Sequence, residues 1–590
     1  MQFQRGLRGL LEKTCAGCIP PPIIEMILGK EKIERTENVT GKRAEHIVTV
    51  DEVVKSELFG EVSEKPDGRF LAEQLLEAFE ALESDKAILE IDGKKYDVEW
   101  LLDRAKSIAA GFLARKLRRG DIVLLAIDFD AEAVAVVLGV LLAGGCCAPI
   151  EPSIKAPMVA HSMLECSCRY IITDEKYALV VEDACLTTIA HHQFVMDHLF
   201  IRGRKSDGKD PMVAARSEVV RPWTDFDDHE ASEYSGADRE RPDRDPAKIE
   251  PSFMTKAEAV GDSANHLSGM VRQCTCVYGA AAVAAQLQQF KMLIDSDALD
   301  MKKQKFVIGS SLLTQSGLIS LFACMLYADR EVVLPTAEQF ACEEGTTFAQ
   351  KLPTIVCESA ASGVILTAPA LFELASTANK SNIGTLKKVI ALTTMSSKVL
   401  SAVAARLEAR WPIVTVTALC GSPEVGIVGV CSRPSQESSI TLLPWTEAKT
   451  VKFDQLTDQD KLAGAGCVAV GQLGRIGVRG PQTMTSFAND YDGTAAVQFD
   501  TKYAFFRLAE QSGMVKSGGD LVLADFEGED ENDTLQLFVR YHLSIINSFQ
   551  KTFSFPEVAF EVVFVGPAGR CRRASTGHPR GAFLRCFPAR

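Results

Sequence analysis

The segments VGQLGRIGVRGPQTMTSF (Val470–Phe487) and ALCGSPEVG (Ala418–Gly426) together decide the fold of this chain. Glycine and proline interrupt both of them, and we interpret Arg479-Gly480-Pro481 as a turn and packing element. Neither segment is diagnostic by itself. What each segment indicates depends on the order of the two segments and on the predicted elements that surround them.

The composition is that of an ordinary globular protein with more than one domain. A length of 590 residues exceeds what a single hydrophobic core usually organises, so we expect two or more domains. Hydrophobic residues make up 46% of the chain and charged residues 24%. A formal net charge of -14 argues against nucleic acid as a partner, because phosphate binding needs clustered Lys and Arg.

The longest apolar stretch predicts a strand and a buried helix, because Asp128, Asp130, Glu132 and the Gly144-Gly145 pair interrupt it. We therefore expect no transmembrane segment. The 17 cysteines are interpreted as reduced thiols of an intracellular, cytoplasmic protein, since no signal-peptide core follows Met1. A mitochondrial location is the alternative, because residues 1–14 carry Arg5, Arg8 and Lys13 against a single acidic residue, Glu12.

Alternating periodicities near the start of the chain predict an α/β fold. Strand patterns at Lys86–Asp92, Ile122–Ile127 and Cys146–Ile150 are separated by helical patterns at Trp100–Leu117 and Ala131–Leu142. Strands and helices that alternate with these lengths specify a parallel sheet covered by helices on both faces.

These elements and the two glycine-containing segments resemble the adenylate-forming (AMP-binding) superfamily of acyl-CoA synthetases, 4-coumarate-CoA ligases and luciferases. The likeness is strong at RGDIVLLAIDFDAEAVAVVLGVLLAGGCCAPIEP, Arg119–Pro152, and at CRYIITDEKY, Cys168–Tyr177. It implies a large multi-layer N-terminal domain of adenylate-forming type and a small α+β C-terminal domain.

The resemblance divides the chain into four parts. Residues 1–70 form an N-terminal extension, and residues 71–499 form the large AMP-binding-like domain. Within that domain, residues 203–250 are rich in charged residues and proline, so we expect an exposed linker or insertion. Residues 500–569 correspond to a truncated small C-terminal domain, and residues 570–590 form a basic tail.

The resemblance also assigns candidate residues to a nucleotide site. Gly421 and Glu424 match the family's Tyr-Gly-x-Thr-Glu element, whose Glu helps to hold Mg²⁺, which makes Glu424 the candidate metal ligand and catalytic residue. Cys420 and Pro423 replace the Tyr and the Thr of that element. The substitutions remove a ring and a hydroxyl group from the predicted site.

Two further candidates lie toward the C-terminus. Glu510 stands where relatives carry the Asp that binds the ribose hydroxyls, and Arg540 stands where they carry a hinge-following Arg that also reaches the ribose. The catalytic Lys that the family places near the C-terminus has no counterpart in this sequence.

The phosphate-binding loop is the largest departure from the family pattern. The segment MTKAEAVGDSANHLSG, residues 254–269, stands at its place, and Thr255 and Lys256 are its candidate phosphate ligands. Glu258 and Asp262 would repel a polyphosphate. In addition, Leu392 replaces a glycine of the turn on which adenine lies in related enzymes, so it fills the adenine slot or changes the backbone path.

Three functions are consistent with these residues. The first is a degenerate pseudoenzyme that keeps the fold but has lost, or retains only weakly, ATP-dependent carboxylate ligation. The second is an active acyl- or aryl-CoA ligase with a divergent phosphate loop, using ATP, Mg²⁺ and CoA on a small carboxylic acid. The third is a structural subunit of a larger assembly, whose partners would be proteins.

Overall fold

A computed structural model shows the fold of the chain. All of the described residues belong to one compact unit, Val53–Arg590. They are residues 54–55, 71–151, 155–192, 198–203, 220–226, 229–234, 251–260, 271–296, 299, 301–340, 348–377, 383, 385–393, 397–435, 439–451, 474–488, 498–500, 505–515, 521–523, 560–565, 571–572 and 583–586.

The first sheet is parallel at its centre and antiparallel at one edge. Its described strands run from edge to edge in the order Ser486–Phe487, Val271–Gly279, Pro251–Val260, Cys146–Pro149, Ile122–Ala126, Tyr170–Asp174, His198–Arg202 and Val220–Pro222. The strands from Pro251–Val260 to Val220–Pro222 are mutually parallel. Val271–Gly279 pairs antiparallel with its neighbours on both sides.

The second sheet has the same mixed character. Its described strands follow the order Thr441–Leu442, Gly426–Cys431, Thr415–Ser422, Lys388–Thr393, Gly363–Thr367, Phe306–Gly309, Val332–Val333, Ala87–Ile91 and Lys94–Asp97. The strands from Thr415–Ser422 to Ala87–Ile91 are parallel. Antiparallel strands close both ends of this sheet.

Helices cover both faces of both sheets, because successive strand residues point to opposite faces. Val123 and Leu125 face a core that also contains residues of the second sheet, whereas Leu124 and Ala126 face a separate outer core. The second sheet has its own outer core on the opposite side. The result is a five-layer arrangement in which helices and sheets alternate.

The described helices divide among three layers. The helices that contribute to the shared central core are Leu71–Glu80, Val98–Ala114, Ala131–Leu142, Ala280–Asp295 and Gln315–Tyr327. The helices outside the first sheet are Ala156–Cys166 and Ala178–His192. The helices outside the second sheet are Phe348–Glu358, Ala368–Thr377 and Ser397–Arg410. A short helix, Ala337–Phe340, precedes Phe348–Glu358.

The predicted α/β class and the large multi-layer domain are confirmed. The helix Ala131–Leu142 has the predicted bounds, and only Glu132 of its residues is not buried, which accounts for the apolar stretch. The helix predicted to begin at Trp100 begins at Val98, with Asp97 as its N-cap. Within the described residues, no helix is long and apolar enough to span a membrane.

A third sheet crosses the predicted domain boundary at residue 500. Its described strands are Val54–Lys55, Glu447–Val451, Gly474–Arg479, Phe505–Val515, Gln498–Asp500 and Leu521–Leu523. Phe505–Val515 pairs directly with Gly474–Arg479, so backbone hydrogen bonds join the two sides of that boundary. Likewise, Phe560–Val565 pairs with Cys571–Arg572 and Phe583–Cys586 of the predicted basic tail.

Part of the predicted linker at 203–250 is packed against the large domain, which corrects the expectation of a uniformly exposed segment. Phe226 is fully buried in the central core. The Tyr234 hydroxyl donates to the Leu142 carbonyl at 3.0 Å, and the Ser107 hydroxyl donates to the His229 carbonyl. Aromatic residues spaced among the charged ones supply this packing. Residues 204–219 and 235–250 lie outside the described residues.

We predict that Phe226→Ala lowers the free energy of unfolding by about 3–5 kcal/mol, because it removes a buried ring and leaves a cavity. Chemical denaturation monitored by circular dichroism measures the effect. The control is Leu179→Ala, whose side chain is 76% exposed and whose loss should change stability by less than about 0.5 kcal/mol. Equal, small effects of the two changes would contradict the packed arrangement.

Candidate functional site

The candidate site lies where parallel strands of the second sheet end. Register places Thr367 beside Leu392 and Thr393 beside Cys420, so the C-terminal ends of three neighbouring strands meet at one edge. In open α/β sheets ligands bind at this edge. Gly421 follows Cys420 directly, and the predicted metal ligand lies in the turn that comes next.

Two glycines shape that turn. The strands Thr415–Ser422 and Gly426–Cys431 form a hairpin whose register shifts between Cys420 and Gly421. A Cβ atom on Gly421 would lie 2.0 Å from the Gly426 carbonyl oxygen, so only glycine permits this close approach. Gly426 itself adopts a φ of +68°, which favours glycine.

Glu424 is directed into the protein. It is 3% exposed, and its Oε2 accepts a hydrogen bond from the Ser422 hydroxyl at 2.6 Å. Its backbone carbonyl accepts from the Met484 amide at 3.0 Å, which joins the turn to the segment after Gly480. The carboxylate is therefore a hydrogen-bonded part of its own turn.

Tyr278 connects this turn to the first sheet. It is the penultimate residue of the strand Val271–Gly279, and its hydroxyl donates to the Pro423 carbonyl. Burial raises the pKa of the Tyr278 phenol well above its ordinary value, and the nearby Cys276 and Glu424 raise it further. The phenol therefore stays protonated and able to donate across the physiological range.

Thr255 and Lys256 lie in a strand, which corrects the expectation that the phosphate loop begins at Met254. Pro251–Val260 is extended and pairs with Val271–Gly279, so that Thr255 is opposite Cys276 and Lys256 opposite Thr275. The two candidates thus occupy a hairpin arm. The connection between the arms, residues 261–270, lies outside the described residues.

The ribose candidates are not brought together by the described residues. Glu510 is part of the strand Phe505–Val515, close to a register shift opposite Arg475 and Gly477. Arg540 lies outside the described residues. Among the predicted site residues, Gly421 and Glu424 are therefore the two that the described residues place close together.

Leu392 lies in the strand Lys388–Thr393, is 8% exposed and packs in the central core. Thr314, at the start of helix Gln315–Tyr327, is an N-cap whose hydroxyl accepts from the Gly317 amide at 3.2 Å.

A buried set of polar residues beside the turn was not found from the sequence. Gln286 donates to the Gln482 carbonyl at 3.2 Å, and Gln482 donates to the Thr446 hydroxyl at 2.9 Å. Gln289, one turn after Gln286, donates to the Pro444 carbonyl at 2.7 Å. These amides join the helix Ala280–Asp295 to loops that are distant in sequence. The signal that could have indicated this set of residues is the presence of glutamines on the apolar face of that helix.

The described residues do not by themselves fit a magnesium ion. Among them, no group of three His, Cys, Asp or Glu side chains is arranged to hold a metal. Mg²⁺ takes oxygen ligands with near-octahedral geometry. Glu424 offers one carboxylate, already bonded to Ser422 and enclosed by protein.

Part of this chain is similar in sequence to known proteins. A family model described as AMP-binding enzyme matches residues 76–251. An isonitrile lipopeptide synthase from Streptomyces coeruleorubidus is 31% identical over 114 residues, which are 19% of this chain and 7% of the synthase. The chain therefore aligns with only a small part of that relative's length.

Solved structures share the fold over most of the chain. MatB from Rhodopseudomonas palustris, bound to ATP, has a TM-score of 0.56 at 14% identity and covers 77% of this chain and 78% of its own. A long-chain-fatty-acid-CoA ligase from Archaeoglobus fulgidus has a TM-score of 0.59 at 13% identity, covering 80% and 86%. A luciferase-like enzyme from Zophobas morio has a TM-score of 0.55 at 14% identity, covering 80% and 98%.

The described residues have the fold of these acyl-CoA ligase-like and luciferase-like structures. The matched family is that of AMP-binding enzymes, and the structural relatives are acyl-CoA ligase-like and luciferase-like. The resemblance predicted from the sequence is confirmed. At these identities the solved structures establish the fold alone.

We predict that Gly426→Ala destabilises the protein more than Gly93→Ala does. Both glycines have positive φ, so each change costs about 1–2 kcal/mol of backbone strain. A Cβ at Gly426 would also lie 2.6 Å from the Gln286 amide nitrogen, whereas nothing lies within 4 Å at Gly93. The overpacking adds about 1–3 kcal/mol to the loss of unfolding free energy. Equal losses in denaturant titrations would contradict the close approach.

Proposed function

We propose that this protein is a degenerate member of the adenylate-forming fold in which ATP-dependent carboxylate ligation is lost or severely weakened. The observation that carries the proposal is the burial of Glu424, whose carboxylate is bonded to Ser422 within its own turn. A metal ligand has to present an oxygen to the ion and to the phosphates that the ion bridges.

The residues around Glu424 support this proposal. Cys420 is fully buried, and burial raises the pKa of its thiol far above the ordinary value, so it acts as a small apolar side chain. Pro423 has no amide N–H and uses its carbonyl to accept from Tyr278. The three side chains at positions 420, 423 and 424 therefore serve packing and the turn.

One cavity in the described core is too small for a carboxylic acid. A cavity beside the start of helix Gln315–Tyr327 is lined by Gln315, Phe253 and Phe322 and has a volume of about 10 Å³. That volume corresponds to about one water molecule. Ligand sites of drug-sized molecules usually occupy about 300–1,000 Å³.

The proposed setting is the cytoplasm of the cell. Ten cysteines in the described part of the chain are free thiols, and nine of these ten are buried. Free thiols persist in reducing compartments. In this role the protein needs neither ATP nor CoA, and it acts through a protein partner or by holding a small carboxylic acid without activating it.

The alternative is an active acyl- or aryl-CoA ligase, favoured by the AMP-binding match and by the fold shared with ATP-bound MatB. It requires residues 261–270 to hold the phosphates and Glu424 to become accessible when Mg-ATP binds. In that case Thr255, Lys256, Glu510 and Arg540 would converge on one nucleotide.

We predict that Mg-ATP binds with a dissociation constant above about 1 mM, equivalent to less than roughly 4 kcal/mol. The reason is the acidic character of the phosphate segment and the closed turn at Glu424. Titration calorimetry measures the affinity, and ATP without Mg²⁺ is the control. Micromolar binding that requires Mg²⁺ would contradict the proposal.

We also predict that Glu424→Gln changes neither pyrophosphate release nor stability. Pyrophosphate is measured with Mg-ATP and a panel of short, long and aromatic carboxylic acids. The amide oxygen of Gln still accepts from Ser422, so the free energy of unfolding should shift by less than about 1 kcal/mol. A rate in the parent protein that falls by orders of magnitude in Glu424→Gln would establish the ligase alternative.

A further inference from the structure

Three buried glutamines beside the turn at Gly426 have side-chain oxygens that receive no hydrogen bond from the described residues. Gln286, Gln289 and Gln482 are 1%, 1% and 0% exposed. Among the described residues, none donates to the Oε1 atom of any of the three. Buried polar atoms almost always have a hydrogen-bond partner, so three such oxygens in one region indicate an occupant that supplies the missing interaction.

The contacts of the side-chain nitrogens hold the three glutamines together. Gln286 Nε2 donates to the Gln482 carbonyl at 3.2 Å, and Gln482 Nε2 donates to the Thr446 hydroxyl at 2.9 Å. Gln289 Nε2 donates to the Pro444 carbonyl at 2.7 Å and lies 3.5 Å from the same Thr446 hydroxyl. Because Gln286 and Gln289 are neighbours on one helix face, these contacts close a ring. We call Gln286, Gln289, Gln482 and Thr446 the glutamine cluster.

The orientation of two of these carboxamides is fixed by their partners. Backbone carbonyl groups only accept hydrogen bonds, so the atoms of Gln286 and Gln289 that face the carbonyls of Gln482 and Pro444 are nitrogens. Exchanging nitrogen and oxygen in either side chain would bring two acceptors together. The two oxygens are therefore directed away from these carbonyl partners.

A glycine keeps the third oxygen uncovered. A Cβ atom on Gly480 would lie 2.1 Å from Gln482 Oε1, so any other residue at this position would cover that oxygen. On another side of the cluster, a Cβ atom on Gly426 would lie 2.6 Å from the Gln286 side-chain nitrogen. Backbone without side chains thus approaches the cluster closely at two places.

The glutamine cluster has more acceptors than donors. All three carboxamide nitrogens are engaged, whereas the three oxygens have no donor among the described residues. The buried Trp445 indole N–H, next to Thr446 in sequence, is a donor without a partner in the same part of the chain, so acceptors outnumber donors by three to one. A single water molecule donates only two hydrogen bonds. A cation coordinates several oxygens at once, and amide oxygens are ligands of hard cations.

The charges next to the cluster suit a monovalent ion. The three side-chain oxygens are neutral, whereas divalent ions are usually balanced by carboxylates. In the described part of the chain, no three His, Cys, Asp or Glu side chains are arranged to hold a metal. The buried Glu424, two residues before Gly426, provides one negative charge on the neighbouring turn. Arg479, three residues before Gln482, is paired with Glu447, so its charge is balanced.

We propose that the glutamine cluster binds one alkali-metal cation, coordinated by the side-chain oxygens of Gln286, Gln289 and Gln482. Amide-type oxygens replace the hydration shell of such ions in proteins. The ion joins the helix Ala280–Asp295 to the segments that carry Thr446 and Gln482, and so it stabilises the folded chain. The proposal goes beyond the proposed function, because it requires neither ATP nor a carboxylic acid.

The test is urea unfolding of the full chain, followed by circular dichroism in KCl, NaCl and tetramethylammonium chloride at equal ionic strength and without nucleotide. Tetramethylammonium is the reference, because its methyl groups keep oxygen ligands away from the charge. An ion that binds only the folded state shifts the equilibrium by mass action. We expect the folding equilibrium constant to rise about tenfold for each tenfold increase of the preferred alkali ion above its dissociation constant.

Two substitutions at one position separate a cation from a packing effect. Gln482→Met removes an oxygen ligand, and it should abolish the difference between the alkali salts and the reference salt. Gln482→Glu places a full negative charge beside the ion, with the Thr446 hydroxyl able to donate to it, and it should enlarge that difference. Gln289→Met repeats the first test if Gln482→Met does not fold, and the titration of the parent protein needs no variant.

The matched control is Gln339→Glu, because the Gln339 side-chain oxygen already accepts from the Thr336 amide at 2.9 Å. It should leave the effect of the alkali salts unchanged. Equal stability of the parent protein in all three salts would indicate ordered water and overturn the proposal. An undiminished salt effect in Gln482→Met, or a loss of stability in Gln482→Glu that is the same in all three salts, would also overturn it. Since no nucleotide is present, this proposal and the proposed loss of ligation fail separately.

Discussion

The constraint on which the rest of the structure depends is that both sheets are covered on both faces. Alternate residues of one strand, Leu124 and Val123, enter different cores, so a change in register would move apolar side chains out of place on both sides at once. The helix Ala131–Leu142 is buried on nearly its whole surface because it lies in the layer between the sheets. Only the edges at which the strands end remain for polar chemistry.

Polar residues are accordingly concentrated at those two edges. At the second sheet, the Ser422 hydroxyl donates to Glu424 and the Tyr278 hydroxyl donates to the Pro423 carbonyl, and the result is a closed turn. At the first sheet, Asp128 and Asp174 meet Arg202 beside an open cleft. The C-terminal ends of the strands therefore carry a closed, hydrogen-bonded turn in the second sheet and an open, charged cleft in the first sheet.

The consolidation of the turn has an energetic reason. A buried carboxylate is stable only when its oxygens are hydrogen-bonded, because desolvation of an unpaired charge costs several kcal/mol. Ser422 provides such a bond to Glu424, and the Gln286 side chain, which donates to the Gln482 carbonyl, lies close to Gly426. A turn supported in this way persists for its contribution to folding, whether or not it still meets a nucleotide.

The sequence by itself determined the α/β class, the alternation from Ile122 onward and the resemblance to adenylate-forming proteins, because strand and helix periodicity are local properties. It also placed Gly421 and Glu424 close together, since they are only three positions apart. Tertiary structure alone decided that Phe226 belongs to the core and that Thr255 and Lys256 lie on a hairpin arm. It alone decided that Tyr278 bonds to Pro423 and that Asp128, Asp174 and Arg202 meet. These contacts join residues that are far apart in the chain. They depend on the order of the strands in the sheets, which leaves no local pattern in the sequence.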